Sequence, residues 1–468
     1  MLMCKNLDGY KKGDYAMRKS MMRILSFMAF IFFASTLLAI DVPLEYVKYP
    51  DKPKTYFPTG MARLTYKLNP PEGSWKFPKF VSVYPIYSFV KLGDQEKLLV
   101  LDRQNTEDEF YNRIYFDDNA NKDLTDDPVI DGKSILIPGR QTPRTLFPAV
   151  DTKIKVGEKS IPFSFVPDFI GGLLAFDKGN ISEELLNKMI FLYLRANCMY
   201  KGKLEVDGQV YHIHLADSNC NGLFHEKFAL RKLGTPFPGR IPIPNTGDNV
   251  FISQDNKIDV NSRQIYGDWL LIKNRLFHVN ITQTNEKMTL TPVTKNLVPL
   301  ILSMKPEHIS LYTEGGEHFL MTFQPEEKIH IPKGKYRLFN YKLLKKDDQG
   351  DLWSLSARAT MECPWITVDE SKENYLKFGE PYVITAEVPG NRFVNVRDSA
   401  ARKNIASLSF AIRGQYDEDI SDISHIKGIK TKIPLSKEDG LTHRPKEPTY
   451  TILTADGKKV AQGSFEYG

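Results

Sequence analysis

A chain of 468 residues, 41% hydrophobic and 26% charged, has the composition of a globular protein and the length of about three domains, which excludes a disordered or fibrous one. Its formal charge of +6 falls to +2 without the first 39 residues, which hold six Lys/Arg and two Asp/Glu and so leave 57 basic against 55 acidic. That balance gives no electrostatic case for binding nucleic acid.

The N-terminus reads as a secretory signal. Arg18, Lys19 and Arg23 precede an uncharged apolar run, Ile24 to Ile40, with the small Ala39 near its end and Asp41 after it. Residues 1–40 are expected to be a cleaved signal peptide. The alternative is an uncleaved anchor, since the run's 17 residues sit at the lower edge of what spans a bilayer. That anchor is the one membrane contact the chain suggests. Export permits disulfides, yet only Cys198, Cys220 and Cys363 follow the signal. Pairing of Cys198 with Cys220 and three buried thiols are both open readings.

Beyond residue 41 the pattern is of short strands punctuated by turns, for example at 80–92, 96–104, 133–139, 151–166 and 202–217. The VGEK (156–159), VDGQ (206–209) and ADGK (455–458) segments predict hairpin turns. The fold class is therefore mainly β, with several β-sandwich-like domains. One amphipathic helix is expected at about 182–196. Ser182 caps it, Glu183 and Glu184 fill its first turn, and Leu185, Leu186, Met189, Ile190 and Tyr193 recur at helical spacing. Breaks near 180, 296 and 363 divide the chain into 41–180, 181–296, 297–363 and 364–468. The last has the strand spacing of an immunoglobulin-like sandwich without its disulfide or tryptophan signature.

Two acidic stretches carry the chemistry. FDDNANKDLTDD, Phe116 to Asp127, follows the strand-like NRIY, and one hundred residues on, LADSNCNGLFHEKF follows YHIH. In register, Asp117 falls on Asp217, Asn119 on Asn219, Asn121 on Asn221, Leu124 on Phe224 and Asp126 on Glu226. Crowded carboxylates need water or a cation, and calcium takes six to eight oxygen ligands in a flexible shell. Side chains at loop positions 1, 3 and 5 point oxygens at one centre. Position 7 adds a carbonyl (Asp123, Leu223), and the acid at position 10 (Asp126, Glu226) closes the shell. Leu124 and Phe224 would plug each loop onto the fold. The bland alternative is a pair of polar turns, which Asn and Asp also favour.

These stretches resemble the calcium loops of EF-hand and dockerin-like proteins over about a dozen residues each, and exported bacterial proteins with a D-x-N-x-N-G loop after a strand. The resemblance implies calcium. It departs at position 12, where Pro128 and Phe228 replace the bidentate Glu, and at position 6, where loop one has Lys122 and loop two keeps Gly222. Weak sites of roughly 0.1–1 mM are expected.

Other constellations point less far. His212 and His214 share a strand face, and with His225 near Asp217 they could hold a transition metal or be surface imidazoles. Asp417, Asp419 and Asp422 could form a further cation site, a carboxylate pair for glycoside cleavage or a solvated loop. The aromatic YPIYSF (84–89) suits either a carbohydrate-binding face or a strand core. No nucleophile elbow, HExxH, paired CxxC or dinucleotide fingerprint is present. The expected function is an exported calcium-binding structural or binding protein of the periplasm or cell surface. Its expected partners are an extracellular polysaccharide or a surface protein. The alternative is a calcium-stabilised hydrolase acting on an extracellular polymer.

Overall fold

Alternation along the chain sets the architecture. In Val150–Val156 the side chains of Thr152, Ile154 and Val156 are buried while Asp151, Lys153 and Lys155 are exposed, so one face of the strand meets a core. The computed structural model describes residues 38–49, 60–136, 143–171, 182–230, 244–259, 262–361, 363–387, 409–426 and 444–465. The expected signal segment lies almost wholly outside them.

The chain is mainly β, in several sheets. A four-stranded sheet runs Ile86–Leu92, Gln95–Asp102, Arg113–Phe116 and Val129–Asp131. A five-stranded sheet has Gln209–Ala216 at its centre, between Cys198–Val206 and Asn249–Ser253. Asp207 (φ 52°) and Gly208 (φ 74°) join the first two of these strands in the turn that the VDGQ segment predicts. A six-stranded sheet is built on the long strand Lys159–Ile170, which pairs with Val150–Val156, Phe191–Ala196 and Pro143–Leu146. One core fills the space among these sheets, with Phe116, Ile154, Phe165, Leu194, Leu215 and Phe224 all buried in it.

The largest sheet has twelve strands and runs from Ile40–Pro43 at one edge to Val383–Glu387 at the other. Against it lies a three-stranded sheet of Lys328–Pro332, Leu297–Leu302 and Asn374–Leu376. Val298, Leu300, Ile329 and Leu376 of the small sheet share a second core with Ile309, Leu311 and Leu338 of the large one, which makes a β-sandwich.

Strand pairing crosses each boundary drawn from the sequence. Lys159–Ile170 pairs with Phe191–Ala196 across 180, and Trp269–Ile272 pairs in parallel with Phe319–Phe323 across 296. Asp419–His425 continues the large sheet beside Leu352–Arg358, across 363. Within 364–468, Ile366–Val368 and Asn374–Leu376 pair with strands that precede residue 363, so the expected immunoglobulin-like segment shares its sheets with the chain before it.

The expected helix at 182–196 is a correction. Only Glu183–Met189 is helical, and Phe191–Ala196 is a strand. The reason is a change of period: Leu192, Leu194 and Ala196 are buried while Phe191, Tyr193 and Arg195 are half-buried. Lys159–Ile170 and Met61–Arg63 offer hydrogen-bonding edges on both sides, and that pairing overrides helical spacing. No helix among the described residues is long and apolar enough to cross a membrane.

Candidate metal-binding loops

Each acidic loop leaves the end of a strand. Arg113–Phe116 enters loop one, and the chain returns as Val129–Asp131 paired antiparallel to it, so the loop closes a hairpin. Gln209–Ala216 enters loop two, and its free side is covered by Asn249–Ser253.

The two loops have matching backbones. Positions 4 and 6 are left-handed in both: Ala120 (φ 59°) and Lys122 (φ 68°), then Cys220 (φ 59°) and Gly222 (φ 81°). Some of the bonds match as well: those that the position-6 N–H donates and those that the two asparagine oxygens accept. Asp117 accepts from the N–H of Asn121 (3.0 Å) and Lys122 (3.3 Å). Asp217 accepts from Asn219 (2.9 Å), Cys220 (2.6 Å) and Gly222 (2.6 Å). The Asn119 and Asn219 side-chain oxygens accept from the N–H two residues on (2.9 and 3.2 Å), and those of Asn121 and Asn221 accept from Asp123 and Leu223 (2.7 and 2.8 Å). The Asn121 amide donates to Asp126 (2.8 Å), and the Asn219 and Asn221 amides donate to Glu226 (2.8 and 3.0 Å).

Position 6 separates the loops. A non-glycine residue in the left-handed region costs roughly 1–2 kcal/mol. Lys122→Gly is expected to stabilise the protein by about 1 kcal/mol in urea unfolding, since glycine's extra chain entropy offsets part of the relief. At Gly222 the opposite change would be strained at φ 81° and would force the tip of Ile154, 2.2 Å from a Cβ there, to shift.

The hydrophobic plugs sit where the spacing puts them. Leu124 is buried in a small core with Tyr87, Leu98, Val100 and Tyr115, and Phe224 is buried with its ring edge-on to Tyr200 at 4.9 Å. Both loops also rest on Val150–Val156. Thr152 donates its hydroxyl to the Asp118 carboxylate of loop one, and Ile154 lies under Gly222 of loop two.

Charge divides the loops further. Beside loop one, the Lys97 ammonium is buried, donates to the Asp118 carbonyl and to Thr152 and Lys153 (3.2 Å each), and stands 3.5 Å from the Asp118 carboxylate. Burial lowers the Lys97 pKa, against the pull of Asp118, Asp117 and Asp127. Asp127 is pushed up to about 6 by burial and the neighbouring acids, and its Oδ2 has no hydrogen-bond partner among the described residues. Lys76 adds an exposed pair to Asp123 at 2.7 Å.

Among the described residues, loop two has no such counter-ion. Asp217 and Asp248 are both fully buried. Asp248 ties the loop to Asn249–Ser253 by accepting from Ser218 (3.0 Å) and Glu226 (2.8 Å). Burial pushes Asp217 up to about 7 and Asp248 well above its ordinary value; the charge of Asp217 adds to the shift of Asp248, and that of Glu226 to both. No basic side chain forms an ion pair with Asp217, Asp248 or Glu226 among the described residues. The oxygen-only donors of the loops suit a hard cation such as calcium rather than zinc. Among the described residues, no three His, Cys, Asp or Glu side chains are gathered as a metal cluster, so the asparagine oxygens are essential to any such site.

No protein-family model, curated protein or solved structure matches the chain.

Lys97 and Asp248 were not singled out from the sequence. Lys97 had a signal: in a strand it shares a face with Leu99 and Leu101, and a charge on a core face needs a partner. Asp248 had none, since only the pairing of Asn249–Ser253 brings it to loop two.

The remaining candidates separate. Burial pushes His214 down to about 4, His212 is only half-buried, and with His225 they form no metal cluster. Asp417 and Asp419 face Arg413 (2.7 and 3.7 Å), and Asp422 faces Arg444 (3.4 Å), so each acid is tied to an arginine. Cys198, Cys220 and Cys363 are buried free thiols. Tyr87 of the YPIYSF stretch packs beneath Phe77 and Phe80, as strand core does.

Proposed function

We propose that the chain is an exported calcium-binding structural or binding protein of the periplasm or cell surface, and that loop two is its stronger site. The observation that carries this reading is the pairing of two loops with one backbone course, one of which buries acids with no cation paired to them among the described residues. Asp217, Asn219, Asn221, the Leu223 carbonyl and Glu226 supply oxygens in loop two, with Asp248 able to add another. Binding there requires the Asn219 and Asn221 amides to turn their oxygens, rather than their N–H groups, toward the ion. In loop one Asp117, Asn119, Asn121, the Asp123 carbonyl and Asp126 occupy the same positions, but Lys97 already supplies a positive charge and Lys122 a strained turn.

Calcium here neutralises buried carboxylates and fixes the loops to the strands they leave. It therefore acts on stability and shape. Calorimetric titration tests the reading, with magnesium as control because it demands a smaller, stricter shell. Calcium should bind at millimolar concentration or tighter, ahead of magnesium. Absence of calcium binding at millimolar concentration would remove the reading.

A further inference from the structure

The six-stranded sheet turns one face to the core, with Phe169, Leu192 and Leu194, and the other outward. Strand register lays out the outward face. Tyr193 stands between Arg63 and Asp168, with Leu146 beyond Asp168 and Lys133 at the far edge. Arg195 stands beside Met61 in the next row, and Ile135 beside Arg144 in the row on the other side.

The arginines of this face are held in place. Asp168 is 1% exposed and accepts from Arg144 Nε (2.7 Å), Arg144 Nη2 (2.6 Å) and Arg195 Nε (2.9 Å). Arg63 donates to the Asn187 carbonyl (2.6 Å) and has no acid partner among the described residues. The rings of Phe191 and Tyr193 stack at 6.1 Å with 5° between their planes. The Arg63 guanidinium lies 4.5 Å from the Phe191 centroid, and that of Arg195 lies 5.9 Å from the Tyr193 centroid. An arginine has five N–H donors in a fixed fork, so each keeps donors for an anion besides Asp168.

Four cations thus share the face with one acid, and that acid is buried beneath two of them. Among the cations, Met61, Leu146 and Ile135 are 43%, 41% and 40% exposed. A second copy of this face would set cation against cation. A sugar ring or a base would need a free aromatic platform, and both rings here already carry a stacked neighbour and a guanidinium. Lipid-binding surfaces keep their apolar and cationic residues on separate faces, whereas here the two alternate within one face. Arginine, aromatic residues and methionine are the residues that protein interfaces favour.

We propose that this sheet face docks a protein partner whose surface intersperses carboxylates with apolar side chains. Carboxylates of the partner would take the outer N–H groups of Arg63, Arg144 and Arg195. Its apolar side chains would cover Met61, Ile135 and Leu146. The proposal rests on neither acidic loop.

The probe is a labelled synthetic amphipathic helix with glutamates and leucines on one face, titrated with the full chain in chelator and read by fluorescence anisotropy. It is expected to bind with a Kd tighter than about 100 µM. Analogues with serine in place of the leucines, or lysine in place of the glutamates, are expected to bind at least about tenfold more weakly. Arg63→Glu and Met61→Glu, both at exposed positions, are each expected to weaken binding about tenfold or more while melting as the parent does. Lys346→Glu makes the same change of charge as Arg63→Glu at an exposed position of the large sheet, and should bind like the parent. The proposal is overturned if the helix does not bind, if either analogue binds as well as the helix, or if folded Arg63→Glu and Met61→Glu bind like the parent. Phosphatidylglycerol vesicles or oligogalacturonate that bind the parent but not Arg63→Glu would assign the face to a lipid or an acidic polysaccharide, and would overturn it too. Chelator keeps the outcome independent of the calcium reading.

Discussion

Lys97→Met is expected to lose about 3 kcal/mol of stability in chelator, and to regain more of it on adding calcium than the parent gains. The Lys97 side chain is 1% exposed and its ammonium serves Asp118, Thr152 and Lys153 at once. Methionine keeps the length and removes the charge. Asp117, itself 1% exposed, and Asp127, pushed up to about 6, then lose the nearest cation. Removing one partner of a buried pair costs roughly 3–5 kcal/mol, and the lower end applies because the Asp118 side chain is 38% exposed. With the ammonium gone, only the exposed Lys76–Asp123 pair remains among the described ion pairs of the loop, and a divalent ion has more charge to neutralise. Urea unfolding with and without calcium reads both effects. A variant as stable as the parent, or one with no larger calcium response, would show that Lys97 is not the internal counter-ion of loop one.

The pH dependence of the calcium-free protein should come mainly from loop two. Asp217 has a folded pKa raised from 3.8 to about 7 by burial and by Glu226, and Asp248 is raised as well. A raised carboxyl binds its proton more tightly in the folded state. Below about pH 4 it is protonated in both states and its contribution is fully present; between about 4 and 7 the folded state holds a proton that the unfolded state has given up, so stability falls across that window and levels off above it. Calcium reverses the sign of the problem, because the ion needs the carboxylates charged. Binding should therefore release protons and tighten as pH rises over the same window. At a hundredfold excess over its Kd the ion adds about 2.7 kcal/mol. Asp217→Asn should flatten the pH profile and remove most of the calcium effect. A profile that is already flat without calcium would contradict the burial of these acids.

The acidic loops were legible because their chemistry is local. Residue types at fixed positions imply the course of the backbone, and Ala120 with Cys220, and Lys122 with Gly222, take left-handed angles in both copies. Hairpins joined by VGEK and VDGQ were legible for the same reason. What failed depends on distant partners. Phe191–Ala196 has apolar residues that suit a helix or a strand, and only the waiting edges of Lys159–Ile170 and Met61–Arg63 decide it. Ile40–Pro43 finds its partner in Lys287–Pro292, far along the chain, a pairing that turn spacing does not reveal. Asp248 reaches loop two through a pairing of the same kind. The buried Lys97 could have been read, since it opens a run, Leu98 to Leu101, that is apolar throughout.

The measurement closest to the central claim is a thermal melt of the parent, Asp117→Ala and Asp217→Ala, each in chelator and in millimolar calcium. Calcium is expected to raise the parent's Tm. Asp217→Ala should lose most of that rise and Asp117→Ala a smaller part. If calcium leaves the parent's Tm unchanged, or if Asp217→Ala keeps the full rise, the two loops are polar turns and loop two is not a calcium site.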